Sequence, residues 1–452
     1  MLKSSFWRTF AATLLALVLT ACGGGAGGSA AAPGDFTVTP GNGQVIISFS
    51  ASPGVQYWLM YAPTATPLDI KNPPGNHAWA TNITSPYVIS GLTNGVTYSF
   101  AMNGRTGGGA GGAQTASQSV APRAAGANWK AGSGTTAIGD LRGLAFGTSS
   151  ADSLNYYLAV GDNGAMYKGL DGVSQSLNGY GWGVLNGPTV NYKAALNVKL
   201  VANATNRYIA VGEDTIGNGT NSIVSSTDLA TWTSALWASG TIKPSSSINA
   251  LASNGTTTVA VGNGGAAYFT TDGLTWTSSD TLPTSANLYG VTYSTFTGMW
   301  IAVGASGTLL TSPDAKTWTA GSSGVGNNIA LRSVAATIGN VVVAVGDSGT
   351  IITNNTMTTA AGGAGAWVAP TVGPTNSNVL YAVTTDSAVN ALDPQFLAVG
   401  QGGVTYTSVN GLTWNPPVAN SAGPTNSLYG IIGTASKYVG VGASGAVFSS
   451  IN

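Results

Sequence analysis

Charged side chains are scarce in this 452-residue chain, where Lys, Arg, Asp and Glu together make up 7% and the formal net charge is zero. An average soluble domain is about one-quarter charged. With no run of Lys or Arg, the sequence does not favour electrostatic capture of nucleic acid. The single cysteine, Cys22, excludes a disulfide framework. One histidine (His77) and one glutamate (Glu213) leave little material for acid–base catalysis or for zinc ligands.

The N-terminus has the pattern of a secretory signal. Lys3 and Arg8 precede an apolar run over residues 11–18, which is too short to span a membrane. The sequence LTAC at residues 19–22 resembles the bacterial lipoprotein cleavage box. That resemblance implies cleavage before Cys22, acylation of its thiol and, with Gly23 following, an outer-membrane address. An ordinary signal peptide with an incidental cysteine is the alternative.

Residues 22–34 are rich in Gly, Ala and Ser, which predicts a flexible tether. Residues 35–122 then alternate apolar and polar side chains in short runs such as QVIISFSA and TYSFAMNG, a pattern that predicts antiparallel strands. The stretch GLTNGVTYSF resembles the tyrosine corner of fibronectin type III domains. The resemblance implies that Tyr98 bonds back to the backbone near Leu92 and that Phe49 replaces the family's core tryptophan. We expect His77 in a loop.

A repeated word, Ala-Val-Gly or Gly-Val-Gly, follows from residue 129 onward. Successive glycines of this word are separated by 51, 50, 42, 42, 54 and 42 residues. Repeats of this length with strand-like content predict the blades of a β-propeller. The glycines are Gly161, Gly212, Gly262, Gly304, Gly346, Gly400 and Gly442.

Each repeat divides into four predicted strands, with a polar turn between the third and the fourth. The turns STDLATW, TTDGLTW, SPDAKTW and SVNGLTW resemble the Asp-box of sialidase-like propellers and the propeller of photosystem II assembly factors. We interpret their side chains as structural, because a short carboxylate or amide oxygen accepts backbone N–H bonds in a turn. These side chains are Asp228, Asp272, Asp314 and Asn410.

Six tryptophans mark fourth strands for seven repeats: Trp182, Trp232, Trp276, Trp318, Trp367 and Trp414. The seventh, Trp129, stands before the first repeat, whereas the last repeat stops after three strands. A strand around Trp129 is therefore predicted to complete the last sheet and close the ring, leaving no bare sheet edge. The predicted fold is all-β, a fibronectin type III-like sandwich followed by a seven-bladed propeller closed by an N-terminal strand.

The residue after the first apolar position of each innermost strand is predicted to point into a ring near the propeller axis. Cations and tyrosines in a ring could bind a sugar, an anionic glycan or a peptide carboxylate. The alternative is that acids just after Ala-Val-Gly neutralise the cations, as Asp162, Glu213 and Asp347 could do in the three basic blades. The ring residues are Arg142, Lys199, Asn249, Tyr289, Arg332, Tyr381 and Tyr429.

Sialidase-like catalysis does not fit the residues available. Family resemblance would require three arginines on a substrate carboxylate, but the propeller has only Arg142, Arg207 and Arg332. Two of these face acids and Arg207 begins a second strand. Retaining hydrolysis also needs two carboxylates about 5 Å apart, and the repeats suggest none. We predict no catalytic residue, metal ligand or cofactor.

The sequence thus predicts an acylated outer-membrane lipoprotein that binds a protein or glycan partner without catalysis. A degenerate glycan-active enzyme and a purely structural surface component are the alternatives. The predicted segments are a signal peptide (1–21), a tether (22–34), a fibronectin type III-like domain (35–122), a linker (123–128) and the propeller (129–452).

Overall fold

The computed structural model describes residues 28–41, 43–93, 96–122, 126, 129–131, 139–170, 183–185, 190–213, 222–280, 282–357, 365–386, 395–416, 424–434 and 437–451. The chain divides into two compact units, Met1–Arg123 and Ala124–Asn452. Strands and turns dominate both units. Within the described ranges, no helix has the length and apolar character needed to cross a membrane. The predicted signal segment and Cys22 lie outside these ranges.

The first unit consists of two antiparallel sheets around one core. Its strands are β1 (Gly28–Ala30), β2 (Thr37–Gly41), β3 (Gln44–Ser48), β4 (Gln56–Ala62), β5 (Ala78–Ile83), β6 (Tyr87–Ser90), β7 (Tyr98–Thr106) and β8 (Gln118–Val120). One sheet has the order β2-β3-β6; the other has β5-β4-β7, with β1 and β8 both paired to β7. Alternate residues, such as Val45 and Ile47 on β3, fill the space between the sheets.

Tyr98 makes the backbone bond that the sequence predicts for it, and Phe49 is part of this core. The Tyr98 hydroxyl accepts a hydrogen bond from the Thr93 N–H at 3.2 Å, one residue beyond Leu92. Phe49 is buried at the end of β3, and its ring lies edge-on to Tyr57 with a centroid distance of 4.9 Å. Both contacts fix chain segments that leave the sheets.

The predicted tether is wrong in its second part. Gly28–Ala30 form β1 and pair with Gly104–Thr106 of β7, and the Gly28 N–H donates to Thr106 Oγ1 at 3.2 Å. The close approach of the two backbones leaves no room for a side chain at position 104, because a Cβ on Gly104 would lie 2.5 Å from the Ala31 carbonyl oxygen. The small residues that suggest flexibility also allow the chain to lie this close to β7.

The second unit contains 27 strands among the described residues, β9 to β35. The first fourteen are β9 (Trp129–Ala131), β10 (Leu141–Thr148), β11 (Asn155–Gly161), β12 (Met166–Leu170), β13 (Gly183–Val184), β14 (Asn191–Leu200), β15 (Asn203–Glu213), β16 (Ile223–Ser226), β17 (Thr233–Ser234), β18 (Leu236–Trp237), β19 (Ile248–Ser253), β20 (Thr258–Gly262), β21 (Ala267–Thr270) and β22 (Thr275–Ser278). The others are β23 (Leu288–Ser294), β24 (Met299–Gly304), β25 (Leu309–Ser312), β26 (Thr319–Ala320), β27 (Leu331–Ala336), β28 (Val342–Gly346), β29 (Ile351–Asn354), β30 (Leu380–Thr385), β31 (Phe396–Gly400), β32 (Thr405–Ser408), β33 (Leu428–Gly433), β34 (Lys437–Gly442) and β35 (Val447–Ile451).

Among the described residues, single-turn 3-10 helices join the second and third strands in six of the repeats. They are Asp162–Gly164, Asn263–Gly265, Ala305–Gly307, Asp347–Gly349, Gln401–Gly403 and Ala443–Gly445.

The strands of the second unit form seven sheets within the described ranges. Six follow the chain as β10–β13, β14–β17, β19–β22, β23–β26, β27–β29 and β30–β32, with β18 added in parallel to β22. The seventh combines β33–β35 with β9. The first strand of each sheet contacts the first strand of the next, and β33 contacts β10, so the contacts run in a circle.

The glycine of the repeated Ala-Val-Gly word lies at or next to the end of the second strand of each sheet, at a position where no side chain fits. A Cβ on Gly161 would lie 2.0 Å from the Asp140 carbonyl oxygen, and one on Gly304 would lie 2.1 Å from that of Asn287. The same overlap recurs at the other five glycines, with the residue before the first strand at four of them and with Asn191, the first residue of β14, at Gly212. Close backbone approach is therefore the reason that this word repeats.

The third-to-fourth turns have the structural role predicted for them. Asp228 Oδ1 accepts the N–H groups of Ala230 and Thr231, both at 2.8 Å. Asn410 accepts Leu412 and Thr413 at the same 2.8 Å. The Thr231 bond is the leading reason that the pKa of Asp228 lies below its usual range. Asp272 and Asp314 make the matching bonds.

The tryptophans at the start of the fourth strands pack between the sheets. Trp276, Trp318 and Trp414 are buried, whereas Trp232 and Trp367 are partly exposed. Trp276 belongs to a buried cluster that includes Val211 of the second sheet and Ile248 of the third. Trp182 lies outside the described residues.

The strand at Trp129 completes the last sheet, as the sequence predicts. In the antiparallel pairing of β9 with β35, Trp129 is opposite Ser450 and Ala131 is opposite Phe448. The indole is buried in a cluster with Leu428 and Tyr438 of the same sheet. Residues more than three hundred positions apart thus meet in one sheet.

Deleting residues 126–134 should remove β9, expose the edge of β35 and lower the melting temperature of the second unit. The point variant Trp129→Ala should cost about 3–5 kcal/mol of unfolding free energy, because a buried aromatic side chain is lost. Calorimetry measures both, with Trp79→Ala as the control because Trp79 is exposed on the other unit. Equal melting temperatures for wild type and deletion would contradict the role of β9.

Candidate functional site

A β-bulge interrupts the first strand of every sheet in the second unit. In β10 the pairing shifts between Leu141 and Gly143, which leaves Arg142 as the extra residue. Such a bulge redirects one side chain out of the strand's alternation. The extra residues are Arg142, Lys193, Asn249, Tyr289, Arg332, Tyr381 and Tyr429.

These seven bulge residues, which we call the ring, converge on one cavity. The ring side chains alone line a space of about 200 Å³ at its mouth. A second space of about 220 Å³ continues past the ring to the next residues of each first strand, such as Gly143 and Val291. All seven ring residues are partly exposed. Six of them are the residues predicted from the sequence.

Lys199 is not a ring residue, and that prediction is wrong. It lies exposed near the far end of β14, because β14 and β15 form a long hairpin that turns between Leu200 and Asn203. Lys193 takes its place. Lys193 precedes Gly212 by 19 residues, as Arg142 precedes Gly161, but this distance is only 13 residues between Asn249 and Gly262, so counting back from the repeat glycine does not identify the ring residue.

Arg142 makes the best-formed ion pair at the mouth. Its Nε and Nη2 donate to the two carboxylate oxygens of Asp162, both at 2.7 Å, and Nη2 also lies 3.3 Å from Asp140 Oδ2. Burial alone would raise the pKa of Asp162, but the bonds and charge of Arg142 outweigh it and hold that pKa below its usual value. The Arg142–Asp162 pair agrees with the sequence prediction.

The other two cations of the ring are also paired. Arg332 Nε donates to Asp347 Oδ1 at 2.5 Å, as predicted. Lys193 Nζ lies 3.7 Å from Asp162 Oδ1. The predicted Lys199–Glu213 pair is wrong, because among the described residues Glu213 is exposed and forms no ion pair.

Aromatic rings alternate with the guanidinium groups along one side of the mouth. Arg142 lies over Tyr429 at 4.9 Å, and Tyr429 packs edge-on to Tyr381 with a centroid distance of 5.0 Å. Arg332 lies 5.7 Å from the Tyr289 ring and 5.9 Å from that of Tyr381. This arc of five side chains offers aromatic edges, hydroxyl groups and N–H donors to one ligand.

Asn249 occupies the uncharged side of the ring. Its Nδ2 donates to Asn263 Oδ1 and to the Leu288 carbonyl oxygen, both at 2.8 Å. Within the described ranges, three basic side chains (Arg142, Lys193, Arg332) and three acidic ones (Asp140, Asp162, Asp347) surround the mouth. Their formal charges cancel.

Bonds between neighbouring sheets hold the mouth in shape. In four cases, a side chain two positions before the ring residue accepts an N–H from the 3-10 helix of the preceding sheet. Asp140 Oδ1 accepts Ser444 N at 3.0 Å, which ties the first sheet to the last. Equivalent bonds join Asn191 to Asn163, Asn287 to Gly264 and Ser427 to Gly402. Sequence reasoning missed Asp140, although an acid directly before a first strand is a visible signal.

No cluster of ligands suited to a metal ion occurs among the described residues. His77 lies in a loop of the first unit, as expected, with Nδ1 2.5 Å from the Pro74 carbonyl oxygen.

The fold is shared with solved structures of very different sequence. No protein-family model and no curated protein matches the chain. YCF48 from Cyanidioschyzon merolae is 16% identical, with a TM-score of 0.52 over 72% of this chain and 99% of that chain. The WD40 β-propeller domain of Doa1 is 11% identical, with a TM-score of 0.50 over 71% of this chain and 96% of that one. The second unit has a β-propeller fold.

A streptogramin B lyase also resembles this propeller, with 12% identity and a TM-score of 0.52 over 73% of this chain and 99% of that chain. These structural similarities establish the propeller fold of the second unit. Because the sequence identities are so low, they leave its activity open.

Asp162→Asn should destabilise the propeller by about 1–2 kcal/mol, because two cations lose their shared carboxylate. An acid with a lowered pKa stabilises the fold above its unfolded pKa of about 3.9, and this contribution is lost as the pH falls through the folded value. The variant should therefore lose less stability than wild type on acidification. Thermal melts from pH 7 to pH 2 measure this, with the exposed Asp280→Asn as control. If the melting temperatures of Asp162→Asn and wild type fall by the same amount between pH 7 and pH 2, this role of Asp162 is refuted.

Proposed function

We propose that the seven sheets are the blades of one seven-bladed propeller closed by β9, and that the chain is a non-catalytic binding or scaffold protein. The circle of contacts between first strands and the pairing of β9 with β35 support this blade count. The partner, a protein or a glycan, would bind at the axial mouth.

The observation that carries the proposal is the convergence of seven redirected side chains on one cavity. A bulge in every first strand is more than the closure of a sheet requires, and bulges are over-represented where a side chain must be re-aimed. Bonds from Asp140 and its equivalents keep the mouth rigid, so little ordering entropy would be lost on binding.

The acids at the mouth suit binding better than hydrolysis. A general acid for hydrolysis near neutral pH needs a raised pKa. The pKa of Asp162 is lowered, and Asp347 holds Arg332. We therefore propose a site that recognises its ligand without transforming it. Turnover of sialosides or uronic-acid polymers by the purified protein would overturn the non-catalytic assignment.

We propose that the first unit is a fibronectin type III-like spacer in an outer-membrane lipoprotein acylated at Cys22. The two-sheet order and the Tyr98 hydroxyl bond support the domain assignment. The lipoprotein assignment rests on the LTAC sequence at residues 19–22. Several acyl chains would anchor the protein stably, because each buried methylene contributes about 0.8 kcal/mol.

Lys193→Ala and Tyr381→Ala should each weaken partner binding at least tenfold, as ring residues that contact the ligand would. Lys199→Ala is the matched control, because this exposed lysine lies on the same strand outside the cavity. Partners captured from the native envelope by the wild-type chain are identified first, and their affinity for each variant is then measured by calorimetry. If the ring variants lose thermal stability but keep full affinity, the ring cations serve only the ion pairs.

Cys22→Ala should abolish incorporation of radiolabelled palmitate and release the protein from the membrane fraction. The loss follows from removal of the only thiol in the chain. Cell fractionation and detergent partitioning measure it, with Ser29→Ala as a control that leaves the cleavage box unchanged. A membrane-bound Cys22→Ala variant would rule out the lipid anchor.

A further inference from the structure

An aromatic row lies on the first unit, away from the core between its sheets. Trp79 on β5 is 37% exposed, whereas Ala80 and Ile83 of the same strand are buried. Its ring centroid is 6.3 Å from that of Trp58 on β4, at an interplanar angle of 68°. The His77 ring centroid lies 6.3 Å from that of Trp79, at an interplanar angle of 89°. The rings of Trp58 on β4, Trp79 on β5 and His77 in the loop before β5 thus make two successive edge-to-face contacts.

Arg105 on β7 extends this row and has no acidic partner among the described residues. Its guanidinium carbon lies 3.5 Å from the centre of the Trp58 ring, and Nη2 donates to Asn103 Oδ1 at 3.3 Å. Nε is buried without a hydrogen-bond partner. The acids described in the first unit are engaged elsewhere, Asp35 with Ser50 and Asp69 with Asn72. In contrast to the ring cations, Arg105 keeps its charge uncompensated.

The Trp58 indole is fixed in place before any ligand arrives. Asn82 is an extra residue at a bulge opposite Tyr57 and Trp58, and it adopts a φ of 55° that few non-glycine residues adopt. From this position its Oδ1 accepts the Trp58 Nε1–H at 3.2 Å. The indole is therefore held by Arg105 on its face and by Asn82 at its edge.

We propose that Arg105, Trp58, Trp79 and His77 form a second binding site, which takes an acidic carbohydrate. The C–H face of a pyranose ring packs on an exposed indole, as at Trp79. A guanidinium fork with an unused N–H binds a carboxylate. His77 must donate from Nδ1 to the Pro74 carbonyl, so its Nε2 is an acceptor for a sugar hydroxyl. Charge complementarity favours the acidic form of the sugar, because a neutral one leaves Arg105 uncompensated.

Calorimetric titration of the mature chain with oligogalacturonate and with its methyl ester tests this site, because esterification removes the negative charge and adds only one methyl group per sugar. The acid should bind at least tenfold more tightly than the ester. Trp79→Ala should weaken binding of both at least tenfold, and Arg105→Gln should remove the preference for the acid. Val96→Ala, equally exposed on the same unit, is the matched control.

Melting curves separate folding defects from lost contacts. Trp79→Ala should melt with the wild type because the side chain is exposed, and Arg105→Lys should restore part of the preference for the acid if charge is what matters. Unchanged affinity in Trp79→Ala, or equal affinity of wild type for acid and ester, would overturn the proposal. So would failure of the wild type to bind oligogalacturonate, oligomannuronate and sialyl-lactose alike.

Discussion

Close backbone approach at the centre of the propeller is the constraint from which the rest of the second unit follows. The second strand of each sheet has a glycine at or next to its end because a backbone carbonyl at the start of the first strand occupies the space of a Cβ, as Gly161 and Asp140 illustrate. Neighbouring first strands approach as closely, since a Cβ on Gly143 would lie 2.6 Å from the Ala194 Cα. Backbones this close leave room at the axis for one projecting side chain per strand, and the bulge selects which side chain it is.

Local repetition made much of this architecture predictable from the sequence. The contact at the glycine word recurs in all seven sheets, and the Asp-box turn bonds recur in four of them, so one repeat explains the others. The ring was predictable at six positions for the same reason. Lys199 failed because hairpin length is not repeated: β14 and β15 are long, and the lysine nearest the second strand is then far from the axis.

Other features depend on contacts that no repeat encodes. The pairing of Gly28–Ala30 with β7 depends on one free edge of that strand. A Gly/Ala/Ser composition gives no sign of such a pairing. The pairing of Lys193 with Asp162 crosses from one sheet to the next, so an alignment within one repeat could not suggest it. Nor does periodicity reveal the stack of Arg105 on Trp58, which joins side chains from β7 and β4 of the first unit, outside the repeats.

The union of β9 with β35 also bears on how the protein is made. Residue 129 leaves the ribosome long before residue 450, so its strand must wait, unsatisfied, until synthesis of its partner is complete. Contacts of such long sequence separation form slowly, and strands without partners attract other chains meanwhile. A product of premature termination would keep its last sheet open. Quality control in the cell could therefore recognise an unfinished copy by this one vacant edge.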